Sequence, residues 1–238
     1  MIMEKLRGGL IVSCQARGEN PLSGPQYMVP MARAAYLGGA AGIRAEGPED
    51  VRAISRVVPL PIIGLYKVVY PDSPVYITPT LREVEAIIGA GAHIVAVDAT
   101  NRPRPQTNSP ASLTDLVAYI HAAGRLALAD ISTLDEAKTA AGLGFDMVAT
   151  TLSGFTPYSR HTEEPDVDLV QEISKGCAVP VIAEGRYWRP EEAVRALKAG
   201  AHAVVVGTAI TNPQLITARF VRYMSTWNKT GSPQADQS

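Results

Sequence analysis

The sequence predicts an α/β protein, a single (β/α)8 TIM barrel with an N-terminal approach segment, and three observations carry that expectation. Eight short apolar runs alternate with eight helical patterns at about 30 residues per unit, the length of a strand, a crossover helix and the next strand. An internal repeat is present: Pro61-Ile-Ile-Gly-Leu-Tyr-Lys67 parallels Pro180-Val-Ile-Ala-Glu-Gly-Arg186, and Gly91-Ala-His-Ile-Val-Ala-Val-Asp98 parallels Gly200-Ala-His-Ala-Val-Val-Val-Gly207. Two consecutive units thus recur in order half a chain apart, as in a doubled half-barrel. Finally, no shift in composition along the 238 residues marks a domain boundary, and 46% hydrophobic but only 6% aromatic residues suit an interior packed with Val, Ile, Leu and Ala.

The strands are expected at 10–14, 42–45, 62–66, 94–98, 126–130, 147–151, 181–184 and 204–207, each a β-branched or apolar run that ends abruptly in polar or glycine-rich residues. Helices are expected at 26–37, 48–56, 81–88, 113–122, 134–143, 168–174, 190–198 and 213–227. Thr80-Leu-Arg-Glu83 and Ser132-Thr-Leu-Asp135 resemble capping boxes, in which a hydroxyl and an acid three residues on satisfy orphan amides. Glycines such as Gly38, Gly91, Gly144 and Gly200 fall between a helix and the next strand, where a left-handed C-cap turn favours them. The barrel domain is assigned to residues 1–227. Residues 228–238 are polar, contain Gly and Pro and lack periodicity, and are expected to be a disordered tail.

Charge and cysteine content exclude several functions. The formal net charge is −1 with both signs mixed along the chain, which leaves no electrostatic footprint for nucleic acid. Lys5 and Arg7 precede an apolar stretch that Ser13 and Gln15 interrupt, so neither a signal peptide nor a membrane span is expected and the protein is read as cytoplasmic. Cys14 and Cys177 have no metal-ligand spacing and read as reduced, packed thiols. The four histidines also lack ligand spacing; His93 and His202 hold equivalent repeat positions at strand beginnings and read as structural, so no metal site is expected.

In this fold, active sites are built from the C-terminal ends of the strands and the loops after them. Here the strand ends are polar in succession: Gln15, then Arg44 and Glu46, Lys67, Asp98, Asp130, Thr150 or Ser153, and Glu184 with Arg186. A charged strand end is often just a hydrated rim. Lys67 stands out because its neighbours are apolar, and a lysine in a barrel mouth is a base or Schiff-base amine whose pKa burial lowers. Glu184 lies between Ala183 and Gly185 in an apolar run, where an unpaired carboxylate would be costly. Asp98 and Asp130 equally suit orienting a neighbour or capping a helix. Gly185, Gly207 and Thr208, in the seventh and eighth units, are the candidates for a phosphate site formed by backbone amides at a helix start. Long loops at 70–79 and 101–110 lie on the same face.

Taken together, Ser13-Cys-Gln-Ala16, Gly42-Ile-Arg-Ala-Glu-Gly47, Pro61-Ile-Ile-Gly-Leu-Tyr-Lys67, Tyr76-Ile-Thr-Pro-Thr80, Asp98-Ala-Thr100 with Arg102-Pro-Arg-Pro105, Ala129-Asp-Ile-Ser132 and Ala183-Glu-Gly-Arg186 resemble the N-acetylmannosamine-6-phosphate 2-epimerase family over about residues 7–227. The resemblance implies a cofactor-independent isomerase of amino-sugar and sialic acid catabolism that interconverts N-acetylmannosamine 6-phosphate and N-acetylglucosamine 6-phosphate. It puts the catalytic lysine at Lys67 and the catalytic glutamate at Glu184, with Gln15, Arg44 and Asp130 orienting substrate. It also implies a homodimer. Family members commonly carry Arg where this chain has Asn212, so Arg186 or the backbone is expected to serve as a phosphate donor in its place.

These residue types suit the reaction. Carbon 2 of the open-chain sugar is next to the aldehyde, so loss of its proton gives an enolate that is reprotonated on either face. Lys67 is the expected base, Arg44 or Gln15 the donor to the oxyanion, and Glu184 the aid to ring opening or a second acid/base. Asp98, Ser153, Gly185, Arg186, Gly207 and Thr208 complete the expected substrate-binding set. Two other readings fit a barrel lysine: a Schiff-base aldolase acting on a phosphorylated sugar, and a barrel that binds a phosphosugar without turning it over.

Overall fold

Successive side chains of a strand point to opposite faces, so each β-branched run sends one row inward and the other outward, and the helical crossovers cover the outer row, which leaves both rows buried. The computed structural model describes residues 1–107 and 111–230. Among these, eight parallel strands close into a barrel in chain order. They are β1 (Leu10–Cys14), β2 (Gly42–Glu46), β3 (Ile62–Leu65), β4 (Ile94–Asp98), β5 (Leu126–Asp130), β6 (Met147–Ala149), β7 (Val181–Glu184) and β8 (Ala203–Val206). β1 pairs with both β2 and β8, which completes the ring.

The inward row forms a core of its own: Ile11, Ile63, Leu65, Ile94, Ala96, Leu128, Met147, Ala149, Ile182, Ala203 and Val205 pack together inside the barrel. The outward row, including Val12, Ile43, Ile62, Val95, Val97 and Val148, belongs to a second cluster shared with the helices. Continuing the inward row by two residues leads to Ser13, Lys67, Asp98, Asp130, Thr151, Glu184 and Gly207. The period of two therefore puts these polar positions above the apolar interior.

The crossover helices are α2 (Pro25–Leu37), α3 (Pro48–Ser55), α4 (Leu81–Gly89), α5 (Leu113–Ala122), α6 (Leu134–Gly142), α7 (Val167–Gly176) and α8 (Pro190–Lys198). Thr80 and Glu83 form the expected capping box of α4. At α6 the cap is shifted by one residue: Thr133 accepts the Glu136 amide, while Glu136 receives both the amide and the hydroxyl of Ser132. Glu136 is completely buried and makes these bonds in the place expected for Asp135.

The N-terminal segment is a short helix, α1 (Ile2–Leu6), that stops the bottom of the barrel. Leu6 joins the interior core, and His202 pairs with the Met3 carbonyl at 2.9 Å. His93 accepts the Ile62 amide at 3.2 Å, so both repeat-related histidines bond backbone at the lower face.

Three differences from the expected elements concern the upper face. β6 ends early, and Thr150–Leu152 turn into a 3-10 helix. After β8 comes a four-residue helix, α9 (Thr208–Thr211), then α10 (Pro213–Thr230), which continues past the expected end at 227. Asn212 accepts the Leu215 amide at 3.0 Å and so caps α10. The helix leaves apolar side chains in solvent, with Phe220 65%, Tyr223 80% and Met224 67% exposed. Arg219 lies 4.3 Å over the Trp188 ring. Residues 231–238 of the expected tail, and 108–110 of the long loop, lie outside the described residues. Among the described residues, no helix is long and apolar enough to cross a membrane.

Candidate active site

A cavity of about 580 Å³ opens at the C-terminal ends of the strands, lined by Gln15, Arg44, Lys67, Glu184, Gly185, Arg186, Gly207 and Thr208 among others. Lys67 lies two residues beyond β3, so its stem rises from above Leu65 and its amine donates to Gln15 Oε1 at 2.7 Å. Gln15 in turn donates to Ser13 Oγ at 2.9 Å, which fixes which end of the amide faces the lysine.

Opposite stands a buried charge cluster. Arg44 Nη2 donates to Asp130 Oδ2 at 2.6 Å, and Asp130 Oδ1 accepts the Thr151 hydroxyl at 2.6 Å. Arg44 Nη1 comes within 3.2 Å of Glu184 Oε2, but the two are not aligned as a hydrogen bond. Both atoms, and Arg44 Nε, are buried without a hydrogen-bond partner among the described residues. Such groups cost free energy when left unsatisfied, and here they border a cavity that a polar ligand can enter. Thr150 accepts the Glu184 amide at 3.0 Å and donates to its carbonyl at 2.9 Å, which ties the end of β7 to β6.

Burial governs the ionisation of the two central groups. It lowers the pKa of the Lys67 amine, and the nearby Arg44 lowers it further, against the opposing pull of Glu46 and Glu184. Burial raises the pKa of the Glu184 carboxyl, with Arg44 opposing and Asp130 adding to the rise. An amine shifted toward its neutral form beside an acid shifted toward its protonated form is a pair suited to moving protons.

Not every expected residue reaches the cavity wall. Asp98 is fully buried, accepts the Thr100 amide and hydroxyl, and pairs with Arg102. It therefore braces the loop after β4 rather than lining the cavity, and Arg102 extends from it to 5.9 Å from the Tyr76 ring. Asp130 lies behind Arg44. Ser153 is 1% exposed and donates to Asp166, the N-cap of α7. Early termination of β6 puts Thr151 on the cavity side in its stead. Arg186 adopts a positive φ of 63° after Gly185 at 115°. Its guanidinium donates to the Ser153 and Glu164 carbonyls and to the Thr162 hydroxyl, so most of its donors are engaged by the loop after β6.

Other cavity residues are not polar strand ends. Tyr76 comes from the long loop after β3, Trp188 from the loop after β7, and Leu215 and Arg222 from α10. Thr151 is reachable by counting two on from Ala149, and Tyr76 lies in the long loop 70–79 already expected on this face; no comparable signal exists for Trp188, Leu215 and Arg222, since their approach depends on how the loop after β7 and α10 lie across the barrel mouth.

Known proteins of the same pattern were found over nearly the whole chain. A model of the family described as "Putative N-acetylmannosamine-6-phosphate epimerase" (NanE) matches residues 28–226. The chain is 50% identical over 219 residues, 92% of its own length and 98% of the relative's, to the protein of the corresponding 2-epimerase description from Clostridium perfringens (strain SM101 / Type A). It is 47% identical over 232 residues to the bifunctional enzyme NanE/NanK of Brucella melitensis, matching 98% of this chain and 44% of that longer protein. The solved structure of the N-acetylmannosamine-6-phosphate 2-epimerase from Clostridium perfringens superposes with a TM-score of 0.91 at 49% identity, covering 94% of this chain and 96% of that one. A thiamine phosphate pyrophosphorylase from Pyrococcus furiosus, with a TM-score of 0.60 and 15% identity, shares the fold alone. The match to the family over residues 28–226, together with relatives half identical along almost their full length, means that this chain belongs to the N-acetylmannosamine-6-phosphate 2-epimerase family.

Proposed function

We propose that the protein interconverts N-acetylmannosamine 6-phosphate and N-acetylglucosamine 6-phosphate by removing and returning the proton at carbon 2, with Lys67 as base. The observation that carries this reading is the buried Lys67 amine, lowered in pKa, bonded to Gln15 and lining the same cavity as Arg44 and Glu184, whose facing atoms pair in charge but make no hydrogen bond among the described residues. In the open-chain sugar, neutral Lys67 takes the carbon 2 proton. The C–H electron pair moves into the C1–C2 bond, and the carbonyl electrons go to oxygen 1. Arg44 Nη1 and the Gln15 amide supply donors for that oxyanion. Return of a proton to the other face of carbon 2 gives the epimer, so the net reaction requires neither an oxidant nor a cofactor.

Glu184, with its raised pKa, is suited to carrying a proton for ring opening or to acting as a second acid/base. Asp130 holds Arg44, while Asp98 and Ser153 support the loops that frame the cavity. Gly185, Gly207, Thr208 and Arg186 are assigned to the phosphate end, where the first amides of a helix have no intrahelical acceptor. A dianionic anchor there lets remote binding energy hold carbon 2 against Lys67.

The reading also takes the enzyme to be cytoplasmic, because a charged sugar phosphate does not cross a lipid bilayer unaided. It takes the enzyme to be a homodimer, supported by the exposed Phe220, Val221, Tyr223 and Met224 of α10, a larger run of apolar side chains than a solvent-facing helix normally carries.

Proton NMR of N-acetylmannosamine 6-phosphate with the enzyme in heavy water tests the proposal. The expected result is N-acetylglucosamine 6-phosphate carrying deuterium at carbon 2, lost in Lys67→Ala. No conversion by folded wild type would remove the epimerase reading. Covalent trapping of Lys67 by borohydride in the presence of substrate would replace it with the Schiff-base aldolase.

A further inference from the structure

Lys67 lies beyond the last ladder residue of β3. The register with β2 pairs Glu46 with Leu65 and stops there, and the antiparallel bridge of Lys67 with Ile77 is closed by bonds of the flanking residues, so the N–H and C=O of Lys67 itself point away from that bridge toward β2. Two side chains outside the cavity lining take over. Arg17, in the loop after β1, donates from Nη2 to the Lys67 carbonyl at 2.6 Å. The Lys67 amide donates to Glu46 Oε1, at the end of β2, at 3.2 Å. The pair is closed by Arg17 Nε, which stands 3.4 Å from the same Glu46 oxygen. On the far side, the Val68 amide bonds the Tyr76 carbonyl at 2.9 Å and the Thr78 amide bonds the Tyr66 carbonyl at 2.8 Å.

We propose that Arg17 and Glu46 are positioning residues that clamp both peptide groups of Lys67 and so aim its amine at carbon 2. The inference rests on the reading of Lys67 as the base. A lysine side chain has four rotatable bonds, and an amine fixed at its tip by Gln15 is held in one place only if its backbone is fixed as well. Arg17 and Glu46 supply the second anchor from two neighbouring βα units. Neither lines the cavity, so neither is expected to touch the sugar.

The charges bearing on the amine come from two strands and one loop: Arg44 and Glu46 on β2, Glu184 on β7, and Arg17 after β1. The carboxylates favour the ammonium form and the guanidiniums oppose it. Loss of Arg17 therefore moves the acid limb of the pH–rate profile to higher pH, and loss of the Glu46 charge moves it to lower pH.

The test compares kcat, KM, the pH–rate profile and the thermal midpoint of the full chain as wild type, Arg17→Gln, Glu46→Gln and Glu46→Ala. The expected result is a kcat lowered about 10- to 100-fold in Arg17→Gln and Glu46→Ala with KM little changed, the loss typical of a small misplacement of a reacting group. Glu46→Gln keeps an amide oxygen to accept the Lys67 N–H, so it should recover most of kcat while its acid limb still moves down. Arg17 is 44% exposed, so its variant tests the clamp even if Glu46→Ala fails to fold. Wild-type kcat and an unmoved limb in folded Arg17→Gln would overturn the clamp. Failure of wild type to exchange the carbon 2 proton would instead overturn the reading on which the clamp rests.

Discussion

Arg44 and Asp130 meet at 2.6 Å across the barrel mouth, with 1% and 0% of their side chains exposed. The pair holds one edge of the guanidinium and leaves Nη1 and Nε free toward Glu184 and the cavity. Removing the carboxylate leaves the buried guanidinium without its hydrogen-bonded counter-ion, with only Glu184 close by at 3.2 Å. Asp130→Ala is expected to cost roughly 3–5 kcal/mol in urea unfolding, as for other broken buried pairs. Asp130→Asn retains hydrogen-bonding atoms for Arg44 and Thr151 and should cost less, while still lowering kcat/KM because Arg44 loses the nearer of its two counter-charges.

The titration of Lys67 is expected to contribute to the pH dependence of both activity and stability at high pH. The unfolded lysine titrates near 10.5 and the folded one lower, because of burial first and Arg44 second. Between those values the unfolded chain binds the extra proton, so stability should rise with pH across that window. Lys67→Met should flatten this rise in unfolding measurements across the same pH range. In activity, the limb governed by Lys67 should inflect below 10.5 and move lower in Glu184→Gln, since Glu184 favours the ammonium.

Cys14 ends β1 fully buried, and burial pushes its thiol up to about 12. The thiolate is the reactive form. Ellman's reagent at pH 8 should therefore leave Cys14 unmodified in the folded protein and react with it once guanidinium unfolds the chain. Rapid release of two equivalents from folded protein would contradict this packing.

The apolar face of α10 carries the dimer proposal. Phe220→Asp and Met224→Asp change side chains already 65% and 67% exposed, so each should leave the fold intact. Light scattering should then show the mass of one chain in place of two. A single-chain mass for the wild type would sink the proposal.

How much of this was legible before folding differs from residue to residue. The eight strands and the helices between them are local matters: each is written in the period of its apolar residues, and β1, β4, β5 and β7 have the bounds expected of them. The same period of two sets Lys67, Asp98, Asp130 and Glu184 on the inward row, because alternation depends on backbone geometry alone. Local patterns were less sufficient where two candidates compete within a turn. Glu136 takes the α6 cap from Asp135, because its longer side chain also reaches Ser132 across the turn. Thr151 replaces Ser153 at the cavity because β6 stops at Ala149 and a 3-10 turn rotates the next three residues.

The tertiary structure alone decided what each polar strand end bonds. Nothing in the order of residues says that Asp98 turns to Arg102 while Asp130 turns to Arg44, or that Arg186 spends its donors on the loop after β6. Nor does it say that Arg17 and Glu46, 50 and 21 residues from Lys67, close on its backbone. The physical reason is that a strand's period fixes direction within a few residues. Partnership, in contrast, is settled through space by the closure of the barrel, which brings eight separate chain segments to one rim and lets their charges choose among one another.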